Sequence, residues 1–355
     1  MLWPLPFSDV TGKGACTQVG AVNSCQCSHV SKQKHVAENH VLTRLASGGG
    51  RAVYHRIRKW LSQLSCWESL PANQKAGKCD IALGASAMAF LQLFGRLRSI
   101  VIGMVHLKAL PGTPRSTLPV AQILEDACKE AEIYRKAGID GLMVENMNDI
   151  PYTLNVGPEV TASMATVCYA VKKTCQHLPL GVQVLACANQ QALAVALAAG
   201  ADFIRAESFV FSHVADEGLV NACAGDLLRY RKAIGADHIQ IFADIKKKHS
   251  SHAVTSDVSI SETAKAAEFF LADGVILTGV STGREADPRE LKEVQRTVQI
   301  PVLIGSGVTL DNVDKYTDAN ALIIGSHFKH HGDWRNNVNY DKVMAFMDKI
   351  SKLRD

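Results

Sequence analysis

From residue 99 onward, short runs rich in Val, Ile and Leu alternate with stretches whose apolar residues recur every third or fourth position. The runs read as buried strands and the stretches as amphipathic helices, because a strand alternates its side chains between two faces while a helix returns to one face about every 3.6 residues. The spacing predicts strands over 99–106, 139–146, 181–186, 202–207, 238–246, 274–278, 301–305 and 321–325. It predicts helices over 118–137, 159–175, 190–199, 219–234, 262–271, 288–298 and 310–316, and a last one over 340–353. Eight strands each followed by a helix, within residues 99–355, match the count and size of a (β/α)8 barrel. A doubly wound open sheet is the other architecture that the same alternation allows.

Helix ends repeat a signature that fixes the register. Ala-Gly-Ile-Asp ends at Asp140, Ala-Gly-Ala-Asp ends at Asp202, and Ala-Asp-Gly-Val spans 272–275. Glycine in the first two supplies the left-handed residue that stops a helix, and a strand follows at once. Such repeats fit a half-barrel unit copied along the chain. In this fold the chemistry sits at the C-terminal ends of the strands, so those positions carry the functional reading.

Residues 1–97 differ in character. Up to Arg96 there are eleven Lys or Arg against four Asp or Glu, which places much of the chain's net charge of +4 here. Helix or strand periodicity is confined to 51–64, and the Gly48-Gly49-Gly50 run and scattered serines read as loop. The division is therefore an irregular basic N-terminal extension over 1–97 and a barrel over 98–355. Scarce acids with Arg and Ser resemble an organellar presequence, so mitochondrial and cytoplasmic placement both fit. Met88, ahead of a short apolar and basic stretch, is a second candidate translation start.

Composition removes some classes of function. Mean hydropathy is +0.03 and the apolar stretch over 82–94 is short and interrupted, so no membrane insertion is expected. Only 6% of residues are aromatic and no basic patch interleaves with them, so no nucleic-acid partner is expected. Ten scattered cysteines lack the spacing of a disulfide framework and read as reduced thiols. Cys25, Cys27 and His29 offer at most three zinc ligands with no second half. No metal site and no cofactor are identified.

The clearest chemical signal is at the last two strands, which run into Gly305-Ser306-Gly307 and Gly325-Ser326. Small residues there let the backbone approach a phosphate, with the amides of Gly307 and Ser326 and a short following helix directed at it. The plain alternative is that these glycines close tight turns. On the fifth strand, Ile239, Ile241, Ala243 and Ile245 form one apolar face, so Gln240, Phe242, Asp244 and Lys246 are expected to face the barrel axis. A desolvated Lys246 beside Asp244 would serve as a base or form a Schiff base with a carbonyl, or the two would simply make an ion pair. Strand four directs Arg205 and Glu207 inward, and Arg suits a second anionic group by its planar fork. Glu145 at the end of strand two is a candidate general base or metal ligand, and His106 a candidate acid or base. His213, His249, His252 and His327 fall in loops after strands without a ligand spacing, and 209–218 and 247–260 are long enough to be lids.

Seven stretches taken together resemble the BtpA family, named for a cyanobacterial photosystem I biogenesis factor. They are IGMVHLKALPGTP at 102–114, GLMVENMNDIP at 141–151, FIR at 203–205, ADEG at 215–218, FADIKKKH at 242–249, TGVSTG at 278–283 and LIGSGV at 303–308. The resemblance implies a phosphate-binding TIM-type barrel over about three quarters of the chain. Two places depart from the pattern: strand three ends QVLACAN at 183–189 where Asn-Val-Leu-Arg-Asn-Asp is expected, and Arg205-Ala206-Glu207 stands where Arg-Val-Asn is expected.

The sequence thus predicts a barrel whose mouth binds a small phosphorylated molecule through Gly305, Gly307, Ser326 and Arg205. Glu145, Asp244 and Lys246 would carry acid–base or Schiff-base chemistry of an isomerase or lyase. A non-catalytic assembly or stability factor for a membrane protein complex is the other class, and self-association into a homo-oligomer is left open.

Overall fold

A computed structural model describes residues 84–279 and 281–354. The sequence features upstream, including Cys25, Cys27, His29 and the periodic stretch 51–64, lie outside the described residues. The described chain begins with helix α1 (Ala85–Phe94), followed by β1 (Ile100–His106), α2 (Val120–Lys136), β2 (Gly141–Glu145), α3 (Pro158–Thr174), β3 (Leu180–Gln183) and α4 (Asn189–Ala199). Next come β4 (Phe203–Ala206), two short strands β5 (His213–Ala215) and β6 (Gly218–Val220), α5 (Ala224–Ala233) and β7 (Gln240–Asp244). The chain ends with β8 (Ser250–Ser251), α6 (Ile260–Phe269), β9 (Gly274–Leu277), α7 (Pro288–Thr297), β10 (Val302–Ile304), β11 (Ala321–Ile324) and α8 (Tyr340–Arg354).

Eight parallel strands close into a barrel in the order β1-β2-β3-β4-β7-β9-β10-β11, and β11 returns to β1. The open doubly wound sheet is thereby excluded. Alternation divides the apolar residues into two layers. Val101, Val105, Ile204, Ile241, Val275 and Leu322 point outward under the helices, while Ile102, Met104, Phe203, Phe242, Ile276 and Leu303 fill the interior. Gly181 faces the same interior, and any side chain there would collide with the Phe203 ring, since a Cβ would lie 2.2 Å from it.

The repeated Asp motifs fasten the lower rim. Asp140 accepts the Val101 amide at 2.8 Å, Asp202 the Leu180 amide at 2.8 Å and Asp273 the Ile241 amide at 2.8 Å. Asn320 does the same for Val302 at 2.8 Å. Each residue ties the start of its own strand to the neighbouring one, four times around the barrel. Cations from nearby helices complete the acids: Lys172 on Asp202 at 2.6 Å, Arg231 on Asp273 at 2.7 Å, and Arg354 on Asp140. The helix-stop signature thus also carries the clamp of each strand pair.

Three elements differ from the sequence expectation. Residues 85–94, assigned to the extension, form α1 and plug the lower end of the barrel. Phe90 is fully buried, with its ring centroid 4.7 Å from Phe94 and 6.0 Å from Phe242. The predicted helix over 219–234 begins only at Ala224, because Gly218 turns the chain so that β6 pairs antiparallel with β5. The predicted helix over 310–316 is a single 3₁₀ turn, Val313–Tyr316.

Candidate active site

The C-terminal ends of the strands surround a cleft of about 180 Å³. For scale, an apolar cavity of about 150 Å³ accommodates benzene. His106 of β1, Glu145 of β2, Arg205 of β4, Lys248 beyond β7, and the turns after β10 and β11 line it. Gly305, Gly307 and Ser326 all belong to this lining. Five of the seven residues singled out in the sequence, these three with Arg205 and Glu145, therefore share one cavity.

The two turns are locked to each other before any ligand arrives. Ser306 Oγ donates to the Arg284 carbonyl at 3.1 Å and accepts the Gly279 amide at 2.8 Å. His327 Nε2 accepts the Leu310 amide at 3.1 Å, linking the segment after β11 to the one after β10. Gly307 has φ +72°, and a Cβ there would sit 2.2 Å from the Arg284 backbone. Glycine is therefore required both for the left-handed turn and for the close approach. What this arrangement leaves is a set of donors. Among the described residues the amides of Gly307, Val308, Ser326 and His327 reach no protein acceptor. Backbone amides left unpaired beside a cavity are ready to bind an anion's oxygens.

Arg205 forms the next wall. Its Nε donates to both Asp244 oxygens at 3.1 Å and its Nη2 lies 3.0 Å from Oδ1, with both side chains buried. A Cβ on Gly305 would come within 3.2 Å of Nη2, so the guanidinium lies against the first glycine of the β10 turn. Burial raises Asp244 above the ordinary carboxylate range and the Arg205 charge opposes the rise. With both oxygens engaged, Asp244 positions the arginine. Glu207 lies apart from the cleft, accepting the Cys187 amide at 3.0 Å and standing 3.6 Å from Lys247 Nζ.

His106 and Glu145 form a proton-handling pair. His106 Nε2 is 3.5 Å from Glu145 Oε2, and Nδ1 is 3.1 Å from the Trp334 carbonyl. A carbonyl only accepts, so the hydrogen-bond geometry assigns the proton of the neutral ring to Nδ1 and a lone pair to Nε2. Burial pushes His106 down to about 3, helped by the positive charge of Lys329. Burial also raises Glu145, against the pull of Lys248 and Arg205. A neutral imidazole thus offers its lone pair beside a carboxyl group biased toward its protonated form.

Lys246 corrects the expectation from strand alternation. β7 ends at Asp244, Lys246 has φ 49°, and its Nζ donates to the Thr255 carbonyl at 3.0 Å, away from the cleft. The left-handed residue turns the chain out of the strand direction, and Lys248, beyond that turn, lines the cleft in its place. The same segment builds a cover: β8 pairs with β5, which pairs with β6, in a three-stranded sheet. Lys247 fastens it from below, 3.6 Å from Glu207 and 3.9 Å from Glu217. His213 of β5 meets His252 with tilted rings, their centroids 5.1 Å apart, and His249 meets the Thr282 hydroxyl at 3.0 Å.

The model of the BtpA family matches residues 98–352. An uncharacterized mitochondrial protein of Caenorhabditis elegans is 49% identical over 268 residues, covering 74% of this chain and 97% of its own. The photosystem I biogenesis protein BtpA of Synechocystis is 33% identical over 255 residues, covering 71% of this chain and 88% of its own. Among solved structures, KGPDC from Streptococcus mutans is 11% identical, covering 73% of this chain and 100% of its own with a TM-score of 0.48.

Proposed function

Since the chain belongs to the BtpA family, we propose that its cleft takes a small phosphorylated metabolite and acts on it by acid–base catalysis, as an isomerase or lyase. The observation that carries this reading is the group of four amides, Gly307, Val308, Ser326 and His327, which have no acceptor among the described residues, beside a cavity that also holds Arg205. Gly305, Gly307 and Ser326 form the phosphate cradle, and Arg205, held by Asp244, answers a second anionic group. Opposite them, Glu145, biased toward its acid form, gives the proton and takes it back, with the neutral His106 beside it at 3.5 Å.

The test measures thermal unfolding of the full chain with inorganic phosphate, ribose 5-phosphate and glyceraldehyde 3-phosphate, beside a Ser326→Asp variant that puts a carboxylate at the cradle. A ligand at about a hundred times its Kd adds about 2.7 kcal/mol of stability. The expected result is a raised midpoint in the wild type and none in the variant. No rise with any phosphorylated compound, or an equal rise in both proteins, would overturn the reading.

A second reading has its own observation, the name of the Synechocystis relative as a biogenesis protein. In that reading the barrel is a docking scaffold, and the exposed Val214, Leu219 and Val254 on its cover form the contact face. A scaffold tolerates Glu145→Gln without loss of its cellular phenotype, whereas an enzyme does not. The label of the C. elegans relative and the acid-poor extension together support a mitochondrial location, which fractionation of the tagged full chain checks.

A further inference from the structure

Three consecutive lysines follow β7, and the structure gives each a different environment. Lys246 donates to the Thr255 carbonyl at 3.0 Å, and Lys247 stands between Glu207 and Glu217 at 3.6 and 3.9 Å. Lys248 instead lines the cleft with His106, Glu145, Arg205 and the Gly305-Ser306-Gly307 turn. Among the described residues its Nζ has no hydrogen-bond acceptor and no carboxylate within salt-bridge distance. A half-buried cation that lines a cleft and has no partner among the described residues is poorly placed as structural glue and well placed as a reagent. We propose that Lys248 is the amine that forms an imine with the carbonyl carbon of the bound substrate, which is therefore a small phosphorylated aldehyde or ketone.

The proposal rests on the phosphate-cleft reading and adds to it the substrate's reactive group. Desolvation and the nearby Arg205 charge both lower the basicity of Lys248, against the carboxylates of Glu145 and Asp244. A lower basicity leaves more of the amine in the neutral form that attacks a carbonyl. In the first step the Nζ lone pair forms the C–N bond, the C=O π pair moves to oxygen, and that oxygen takes a proton from the Glu145 carboxyl group. The Glu145 carboxylate so formed takes the extra proton from the nitrogen. In the second step the nitrogen lone pair forms C=N, and the hydroxyl leaves as water with the proton that Glu145 returns. The product is the protonated imine with Glu145 ionised, and return of the imine proton to Glu145 gives the net change, carbonyl plus amine to imine plus water. In its protonated form the imine nitrogen draws electrons from the neighbouring C–H or C–C bond, which suits both an isomerase and a lyase.

The full chain is incubated with glyceraldehyde 3-phosphate, or with unphosphorylated glyceraldehyde, in the presence of sodium cyanoborohydride, whose hydride reduces C=N to a stable secondary amine. Peptide mass mapping then locates the adduct. Labelling at Lys248 should exceed that at Lys246 or Lys247, whose amines are engaged by the Thr255 carbonyl and by Glu207 and Glu217. It should need the phosphate group, fall on addition of excess inorganic phosphate, and vanish in Lys248→Arg. That variant keeps the charge and should keep the rise in unfolding midpoint with inorganic phosphate, which shows that it is folded. Labelling spread evenly over the lysines overturns the proposal. No adduct at Lys248 with an intact phosphate response also overturns it and leaves the phosphate cleft standing, whereas no adduct and no phosphate response removes both.

Discussion

At the scale of single residues, the cleft is assembled at a cost to stability. Glu145 is raised by burial, so its ionised form is less favourable in the folded chain than in the unfolded one. Above the ordinary carboxylate range this difference lowers stability. Glu145→Gln keeps the shape and removes the charge, and is expected to unfold at an equal or higher denaturant midpoint at pH 7. Turnover should fall roughly 10²–10⁴-fold once a substrate is in hand, the usual worth of a positioned acid or base. His106 works in the opposite pH direction. Its value is depressed from 6.5 to about 3, so the unfolded chain takes up a proton first, and stability is lost as pH falls from 6.5 toward 3. The loss is at most on the order of 5 kcal/mol at the acid end. In urea titrations from pH 4 to 7.5, His106→Gln should flatten this dependence, and an unchanged slope would show that His106 is not held neutral. These residues differ in how far the sequence exposed them. Arg205 stands on a regular strand, where alternation places it inward, whereas Glu145 ends a strand that is apolar on both faces and was singled out as a carboxylate at the mouth. Lys248 was missed because it lies beyond the end of β7 and past the left-handed residue Lys246, where strand alternation no longer applies. The Trp334 carbonyl that orients His106 lies far along the sequence, and no local pattern carries such a contact.

At the scale of elements, two attachments hold the ends of the barrel. α1 inserts Phe90 among Phe94, Phe203 and Phe242, whose rings meet at tilted and edge-on angles. Phe90→Ala should cost about 3–5 kcal/mol, since rigid strand residues on all sides leave the cavity little room to collapse. Guanidinium unfolding monitored by far-UV dichroism measures this, and a loss under about 1 kcal/mol would mean that α1 is not integral to the core. At the other end, Lys247 holds the β5-β6-β8 cover to Glu207 beneath it. Lys247→Met strands two buried carboxylates and should cost about 3–5 kcal/mol, with a good part recovered in the double variant Lys247→Met, Glu207→Gln. Differential scanning calorimetry of the three proteins decides this by its coupling term. The eight strands were legible because each is a short, mostly apolar run set off by turn residues such as Gly, Pro or Asp. α1 was read only as an apolar stretch too short to span a membrane. Its role depends on the hole it fills, which exists only after the barrel has closed. The first part of the 219–234 helix became β6 for a similar reason, as β5 offers a pairing edge that helical spacing does not anticipate.

At the scale of the whole molecule, the two ends of the barrel divide the labour. The lower rim is fastened by Asp140, Asp202, Asp273 and Asn320, each clamping a pair of strands, and the upper rim is left to loops whose polar groups are unpaired or strained. Ser99 and Leu271 aside, several non-glycine residues with positive φ, among them Cys187, Ser208, Lys246 and His249, lie just beyond the upper ends of β3, β4 and β7. Each left-handed residue of this kind costs of order 1–3 kcal/mol and persists only where the surroundings enforce it. The family to which the chain belongs was legible from seven short stretches, most of which map to this upper rim. The phenylalanine plug beneath has a consequence for traffic. With Phe90, Phe203 and Phe242 closing the floor, the described residues form a cup open at its upper rim, so whatever is made inside leaves by the route its precursor entered. Product and substrate then compete for one doorway, and steady-state kinetics should show product inhibition that is competitive with substrate.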